Sequence, residues 1–155
     1  LGQPDLLIAD EPTTMLDAIA QVEILRLIKE LKDELGMTVW LITHDFGVVS
    51  VISDRVIVMY AGKPVEYGKA DRILRRPKHP YTVGLINSVP LPGTNIERLN
   101  QIPGEIPDPK RLPSGCSFAP RCPKVMDICR AVDPPMTRLD EGGQARCWLY
   151  AESDG

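Results

Sequence analysis

Two short apolar runs, each ending in charged residues, bracket one long amphipathic stretch. That arrangement leaves few folds open to the first part of the chain. Leu6-Leu7-Ile8-Ala9 is uninterrupted until Asp10-Glu11-Pro12 ends it, as expected of a parallel strand covered on both faces. Val22, Leu25, Ile28, Leu31 and Leu35 then recur at helical spacing. They predict a helix from about Ala18 to Leu35 with one apolar stripe. Gly36 follows where a left-handed C-cap belongs. Thr38-Val39-Trp40-Leu41-Ile42-Thr43 predicts a second strand. Strand, helix and strand together read as a βαβ unit with a right-handed crossover.

Parallel strands point the same way, so their carboxyl ends share one edge of the sheet, where ligands of open α/β sheets bind. Asp10 and Glu11 leave the first strand at that edge, and His44 and Asp45 leave the second. Two carboxylates and an imidazole are therefore expected on one rim.

Downstream, Arg55 to Tyr60 and Lys63 to Tyr67 flank Ala61-Gly62 and predict a hairpin at the sheet edge. A short helix from about Ala70 stops before Pro77, and Pro80 opens another toward Asn87. Composition changes near residue 88. Ten of the fifteen prolines and all four cysteines follow it. The expected organisation is an α/β core over residues 1–88, an irregular cysteine-containing extension over 89–150 and a disordered tail over 151–155. The net charge of −3, with both signs interspersed, excludes a nucleic-acid footprint. The run from Val56 to Tyr60 is far too short to span a bilayer. The chain enters a buried-strand pattern almost at Leu1, so further sequence is expected upstream.

An apolar strand ending in Asp-Glu resembles the Walker B motif of P-loop ATPases. The longer segment Leu7-Ile8-Ala9-Asp10-Glu11-Pro12-Thr13-Thr14-Met15-Leu16-Asp17 resembles the Walker B and D-loop of ABC ATPases, and Leu41-Ile42-Thr43-His44-Asp45 their switch-histidine segment. The order and separation of the two segments also match. Arg76-Pro77-Lys78-His79-Pro80-Tyr81-Thr82, Ile102-Pro103-Gly104-Glu105-Ile106-Pro107 and Gly115-Cys116-Ser117-Phe118-Ala119-Pro120-Arg121-Cys122-Pro123 are similar to segments of the oligopeptide/dipeptide/nickel importer group. The resemblance implies the C-terminal part of a P-loop NTPase domain that binds ATP and Mg²⁺. Asp10 would support the Mg²⁺ shell through water, and Glu11 would activate or position the attacking water. His44 would contact the γ-phosphate, and Asp17 would close a D-loop that reaches the partner ATPase. Met15 and Ala18-Ile19-Ala20 depart from the usual run but leave Asp17 in place. His79 is expected to start a turn or helix and pack under Tyr81, with no ligand role.

Cys116, Cys122, Cys129 and Cys147 lie in a proline-rich stretch with little apolar periodicity, and small units of that kind usually need a staple. A reducing compartment argues against disulfides. Four cysteines without a neighbouring histidine favour an iron–sulfur cluster or zinc over free or paired thiols. Arg121, Lys124 and Arg130 stand close in sequence and would offset thiolate charge. The resemblance implies a [4Fe–4S] cluster, with Zn²⁺ as the alternative, acting as a structural staple.

The resemblance further implies an ATP-hydrolysing importer subunit for oligopeptides or dipeptides, peripheral on the cytoplasmic face of the membrane. Its partners would be a second ATPase, two transmembrane permease subunits and an extracytoplasmic substrate-binding protein. Nickel, opines or glycans are alternative cargoes, and a non-catalytic metal-binding module is an alternative role. The phosphate-binding loop, Q-loop and signature segment of the family are absent from these residues, so the segment alone is expected to be inactive. It is also expected to expose apolar surface and aggregate.

Overall fold

The computed structural model describes residues 4–88, 102–108 and 110–151. The chain is α/β and divides into two compact units, Leu1–Ser53 and Asp54–Gly155. The expected change of organisation at 88 borders residues 89–101, which lie outside the described residues, as do 152–155 of the expected tail.

In the first unit, β1 (Leu6–Asp10) pairs in parallel with β2 (Thr38–Ile42), in register from Leu6 opposite Thr38 to Asp10 opposite Ile42. The crossover is α1 (Ala18–Leu35). Asp17 starts that helix: its carboxylate accepts the N–H groups of Ile19 and Ala20 at 3.0 and 2.9 Å, satisfying two donors that the first turn leaves free. Gly36 ends it at φ 63°, a conformation that glycine adopts without Cβ strain. Leu25 and Ile28 of the predicted stripe are buried, whereas Val22 and Leu35 are exposed.

Coverage of the strands on both faces is not observed. Leu7, Ala9, Val39 and Leu41 are half-buried, while Leu6, Ile8, Trp40 and Ile42 form an exposed apolar face. Pleating sends alternate side chains to opposite faces, and among the described residues no element of this unit covers the second one. After β2, α2 (Phe46–Ile52) begins at Asp45, whose carboxylate accepts the N–H of Gly47 at 2.7 Å. Sequence periodicity did not reveal this seven-residue helix.

The second unit is built on β3 (Arg55–Tyr60) and β4 (Lys63–Lys69), an antiparallel hairpin. Ala61 and Gly62 both have positive φ, 47° and 78°, which matches the right-handed twist of the flanking strands. The expectation of a hairpin at the edge of the β1–β2 sheet is corrected. A separate four-stranded sheet runs β3-β4-β6-β5, with β5 at Met136–Arg138 and β6 at Gln144–Arg146. β4 is thus an interior strand, because Glu66 and Tyr67 pair with Ala145 and Gln144 of the cysteine-containing extension. Helices α3 (Ala70–Arg75) and α4 (Pro80–Asn87) follow β4 as expected, and α5 (Asp127–Ala131) lies within the extension.

The core of this unit is Val58, Tyr60, Val65, Ile73 and Phe118. Tyr60 packs edge-on against Tyr81 and Phe118, with ring centroids at 4.6 and 5.2 Å, a favoured arrangement of aromatic quadrupoles. The proline-rich extension was expected to bury little. Instead it supplies Phe118, Ala119 and Ala145, all at most 4% exposed.

Candidate functional site

The end of β1 and the end of β2 are tied by a bond from the Glu11 N–H to the Ile42 carbonyl, 2.9 Å. This extends the parallel ladder by one residue and sets the two loops side by side. The structure thereby brings Glu11 and His44 together: His44 Nδ1 lies 2.8 Å from Glu11 Oε1. A carboxylate can only accept, so Nδ1 carries the hydrogen. Thr14 Oγ1 donates to the other carboxylate oxygen, Oε2, at 2.5 Å. Both oxygens of Glu11 are therefore engaged.

These bonds polarise the pair. The Thr14 hydroxyl first, and His44 second, hold the Glu11 carboxyl below the usual glutamate value. Glu11 in turn raises His44 above the ordinary imidazole value, through its hydrogen bond and its charge, with a smaller push from Asp45. The result is a carboxylate beside an imidazole that is readily protonated, at a solvent-facing rim.

Backbone strain marks the same loop. Glu11 and Met15 have φ of 49° and 67°, left-handed values that side chains with a Cβ rarely adopt. Such residues collect at functional sites, where surrounding bonds over-determine them. Asp10 closes β1 exposed at this rim. Asp17 lies at the far end of the loop, with its carboxylate bonded to the first turn of α1. Asp45 caps α2 with one oxygen and accepts Gln21 Nε2 with the other, at 3.2 Å. Sequence reasoning missed Thr14 and Gln21. The available signal was a hydroxyl three residues after Glu11 and an amide in the first turn of α1.

The four cysteines gather in the second unit. Cys116 N–H donates to the Cys129 carbonyl at 2.8 Å, an approach that only glycine permits at position 115, where a Cβ would lie 2.3 Å from that same carbonyl oxygen. The Cys147 thiol lies within electrostatic reach of the other three. Cys116 accepts the N–H groups of Phe118 and Ala119, Cys122 that of Lys124, and Cys147 that of Leu149. Burial nevertheless raises the Cys116 and Cys122 thiols and pushes Cys147 up to about 11. As placed, burial favours the protonated form of Cys116, Cys122 and Cys147. Among the described residues, no three Cys, His, Asp or Glu side chains stand in ligating geometry. The donor set fits a soft metal in kind though not in geometry: four thiols within electrostatic reach of Cys147 or one another, three of them facing N–H groups that would stabilise thiolate charge. Lys124 acts on Cys122 in the expected sense. Arg121 instead bonds the Ile102 and Pro103 carbonyls at 2.9 Å each.

His79 takes no ligand role in this arrangement. It caps α4, with Nδ1 accepting the Tyr81 N–H at 3.1 Å, and it is 1% exposed. Its own N–H and that of Lys78 donate to the fully buried Glu66 carboxylate. Burial pushes its imidazole down to about 4.

No helix among the described residues is long and apolar enough to cross a membrane. The sequence profile described as "Oligopeptide/dipeptide transporter, C-terminal region" matches residues 65–129. The chain is 50% identical over 149 residues to the oligopeptide transport ATP-binding protein AppD of Bacillus subtilis, covering 96% of this chain and 45% of that protein. It is 47% identical over 152 residues to the oligopeptide transport ATP-binding protein OppD of Haemophilus influenzae, covering 98% and 47%. A putative peptide import ATP-binding protein of Brucella abortus is 50% identical over 146 residues, covering 94% and 44%. Among solved structures, cbiO1 from Clostridium perfringens, part of the ABC transporter complex cbiONQ, aligns with a TM-score of 0.45. The identity is 36%, over 48% of this chain and 30% of that one. The chain spans about half the length of the curated relatives it matches, and over that span it belongs to the family of oligopeptide/dipeptide ABC-transporter ATP-binding proteins.

Proposed function

We propose that this chain carries the water-activating rim of an ATP-hydrolysing ABC subunit that drives peptide import. The observation that supports the reading is the Glu11–His44 pair, held at 2.8 Å on the carboxyl edge of two parallel strands. Glu11 is the general base or water-positioning group. It lies beside Asp10, which would stand in the water shell of Mg²⁺. His44 engages Glu11 through Nδ1, which leaves Nε2 for the γ-phosphate of ATP. Positioning and neutralisation of charge do most of the work in phosphoryl transfer, and this rim supplies a fixed carboxylate and a proton-bearing ring. Asp17 ends the loop that meets a second ATPase. Two permease subunits and an extracytoplasmic peptide-binding protein complete the assembly, with this subunit peripheral on the cytoplasmic face.

Cys116, Cys122, Cys129 and Cys147 would together hold an iron–sulfur cluster, a reading supported by the chemistry of four thiols in one unit and the N–H groups that face three of them. The cluster would serve as a staple for the extension; zinc in place of iron and sulfide on metal analysis would replace that assignment. For the ATPase reading, the deciding experiment is steady-state turnover of the full-length subunit with its partners, wild type against Glu11→Gln. A fall of about a hundredfold or more with ATP binding retained is expected. Unchanged turnover would remove Glu11 from the chemistry.

A further inference from the structure

The Glu11–His44 pair belongs to a closed circuit of hydrogen bonds and peptide links. Glu11 binds His44 through one oxygen and Thr14 through the other. The residue after His44, Asp45, accepts the Gln21 amide at 3.2 Å. Gln21 sits in the first turn of α1, where its N–H donates to the Asp17 carbonyl at 2.9 Å. Asp17 ends the turn that holds Thr14, and that turn is closed by the Thr14 N–H on the Glu11 carbonyl and the Leu16 N–H on the Thr13 carbonyl. The path therefore returns to Glu11.

Packing does not fix this pair by itself: the His44 side chain is 80% exposed and that of Glu11 37%. A carboxylate bonded at one oxygen can swing about its side-chain torsions, but one bonded at both cannot. An imidazole in solvent is placed by its hydrogen bond and by the backbone that carries it. Here that backbone is tied to α1 through Asp45 and Gln21.

We propose that Thr14 and Gln21 are positioning residues that hold Glu11 and His44 as one unit, Thr14 by fixing the free carboxylate oxygen and Gln21 by fixing the backbone beside His44. The proposal rests on the reading of Glu11 and His44 as the hydrolytic pair. It gives the loop from residue 13 to 17 a physical route to both groups: movement of that loop shifts Thr14 directly and Gln21 through the start of α1. Small displacements of reacting groups cost rate far more than they cost binding.

The test uses the full-length subunit in its transporter. Thr14→Val should lower kcat about tenfold, the worth of roughly one net hydrogen bond, with KM for ATP within about twofold. Thr14→Ser keeps the hydroxyl and should restore the rate. Gln21→Glu sets a second carboxylate against Asp45 and should also lower kcat. Adding Asp45→Asn to it lets the amide donate in the opposite sense, while the remaining oxygen still caps α2, and should recover most of the loss. A merely structural role would show as a lowered melting temperature in Gln21→Glu, whereas a positioning role lowers kcat with KM for ATP and melting temperature near wild type. If Glu11→Gln abolishes turnover while Thr14→Val and Gln21→Glu both turn over like wild type, the circuit is overturned and the hydrolytic pair stands. If Glu11→Gln leaves turnover intact, both fall together.

Discussion

Each unit of the molecule carries one of its two histidines, and the two are driven in opposite directions. His44 is exposed, paired with Glu11 and raised. His79 is 1% exposed, bonded at Nδ1 by a backbone N–H and lowered to about 4. The difference teaches how the chain divides its work. The first unit keeps polar groups at a solvent rim and leaves an apolar sheet face, including Ile8 and Trp40, uncovered. The second unit buries Glu66, His79 and a ring cluster around Phe118. The proposed chemistry sits where water and ligand can reach, and the buried polar and aromatic packing sits where they cannot.

The strongest way to break that comparison is at Phe118. Phe118→Ala removes a ring that meets Tyr60, Tyr81 and His79, and should cost about 3–5 kcal/mol in denaturant unfolding of the full-length subunit. A loss below about 1 kcal/mol would show that the extension is an appendage rather than part of the core.

The two histidines provide a second test, by NMR titration and by stability against pH. A group lowered in the folded state gives stability that is present above its unfolded value and lost as pH falls through its folded value. For His79, a shift from 6.5 to about 4 predicts a decline of about 3 kcal/mol across that interval. His44 is raised, so its contribution is present below 6.5 and lost as pH rises through its folded value. Glu11 is lowered, so its contribution is lost as pH falls below the ordinary glutamate range. The exposed pair is therefore charged in a mid-pH window and weakens with salt. If both histidines titrate near 6.5, the contrast between the units disappears.

A third test concerns the open sheet face. In the 155-residue chain, replacing Ile8 and Trp40 by Thr should reduce self-association, measured by sedimentation, without lowering the melting temperature of the second unit. Unchanged association would move the sticky surface elsewhere.

Much of this contrast was legible in the sequence, and what was not has physical causes. The strands β1 and β2 and the helix α1 declared themselves by apolar runs, helical spacing, Asp17 and Gly36, since these are local signals. The rim followed from parallel strands alone. Helix α2 was hidden because seven residues are too few to establish a period, although Asp45 before an apolar run was a usable cap signal. Strands β5 and β6 have three residues each and exist through tertiary pairing, β6 with β4 and β5 with β6. Thr14 and Gln21 gain meaning only when the loop and the strand ends close in space. Phe118 lay in a stretch that looked too irregular to contribute a core, yet the core needed only one ring from it.

The smallest effect sharpens the contrast within the first unit. Glu11 and Met15 both sit at positive φ, but only Glu11 has a side chain with partners to hold it there. Met15 is fully exposed, so its left-handed backbone is maintained by the turn and offset by no contact of its own. Asparagine tolerates that conformation better, and Met15→Asn should raise stability by about 0.5–1 kcal/mol. If strain at Met15 is merely tolerated, turnover stays at wild type. If relaxing it lowers kcat together with the stability gain, the turn is held under tension to press Thr14 onto Glu11, and the strain belongs to the site rather than to the loop.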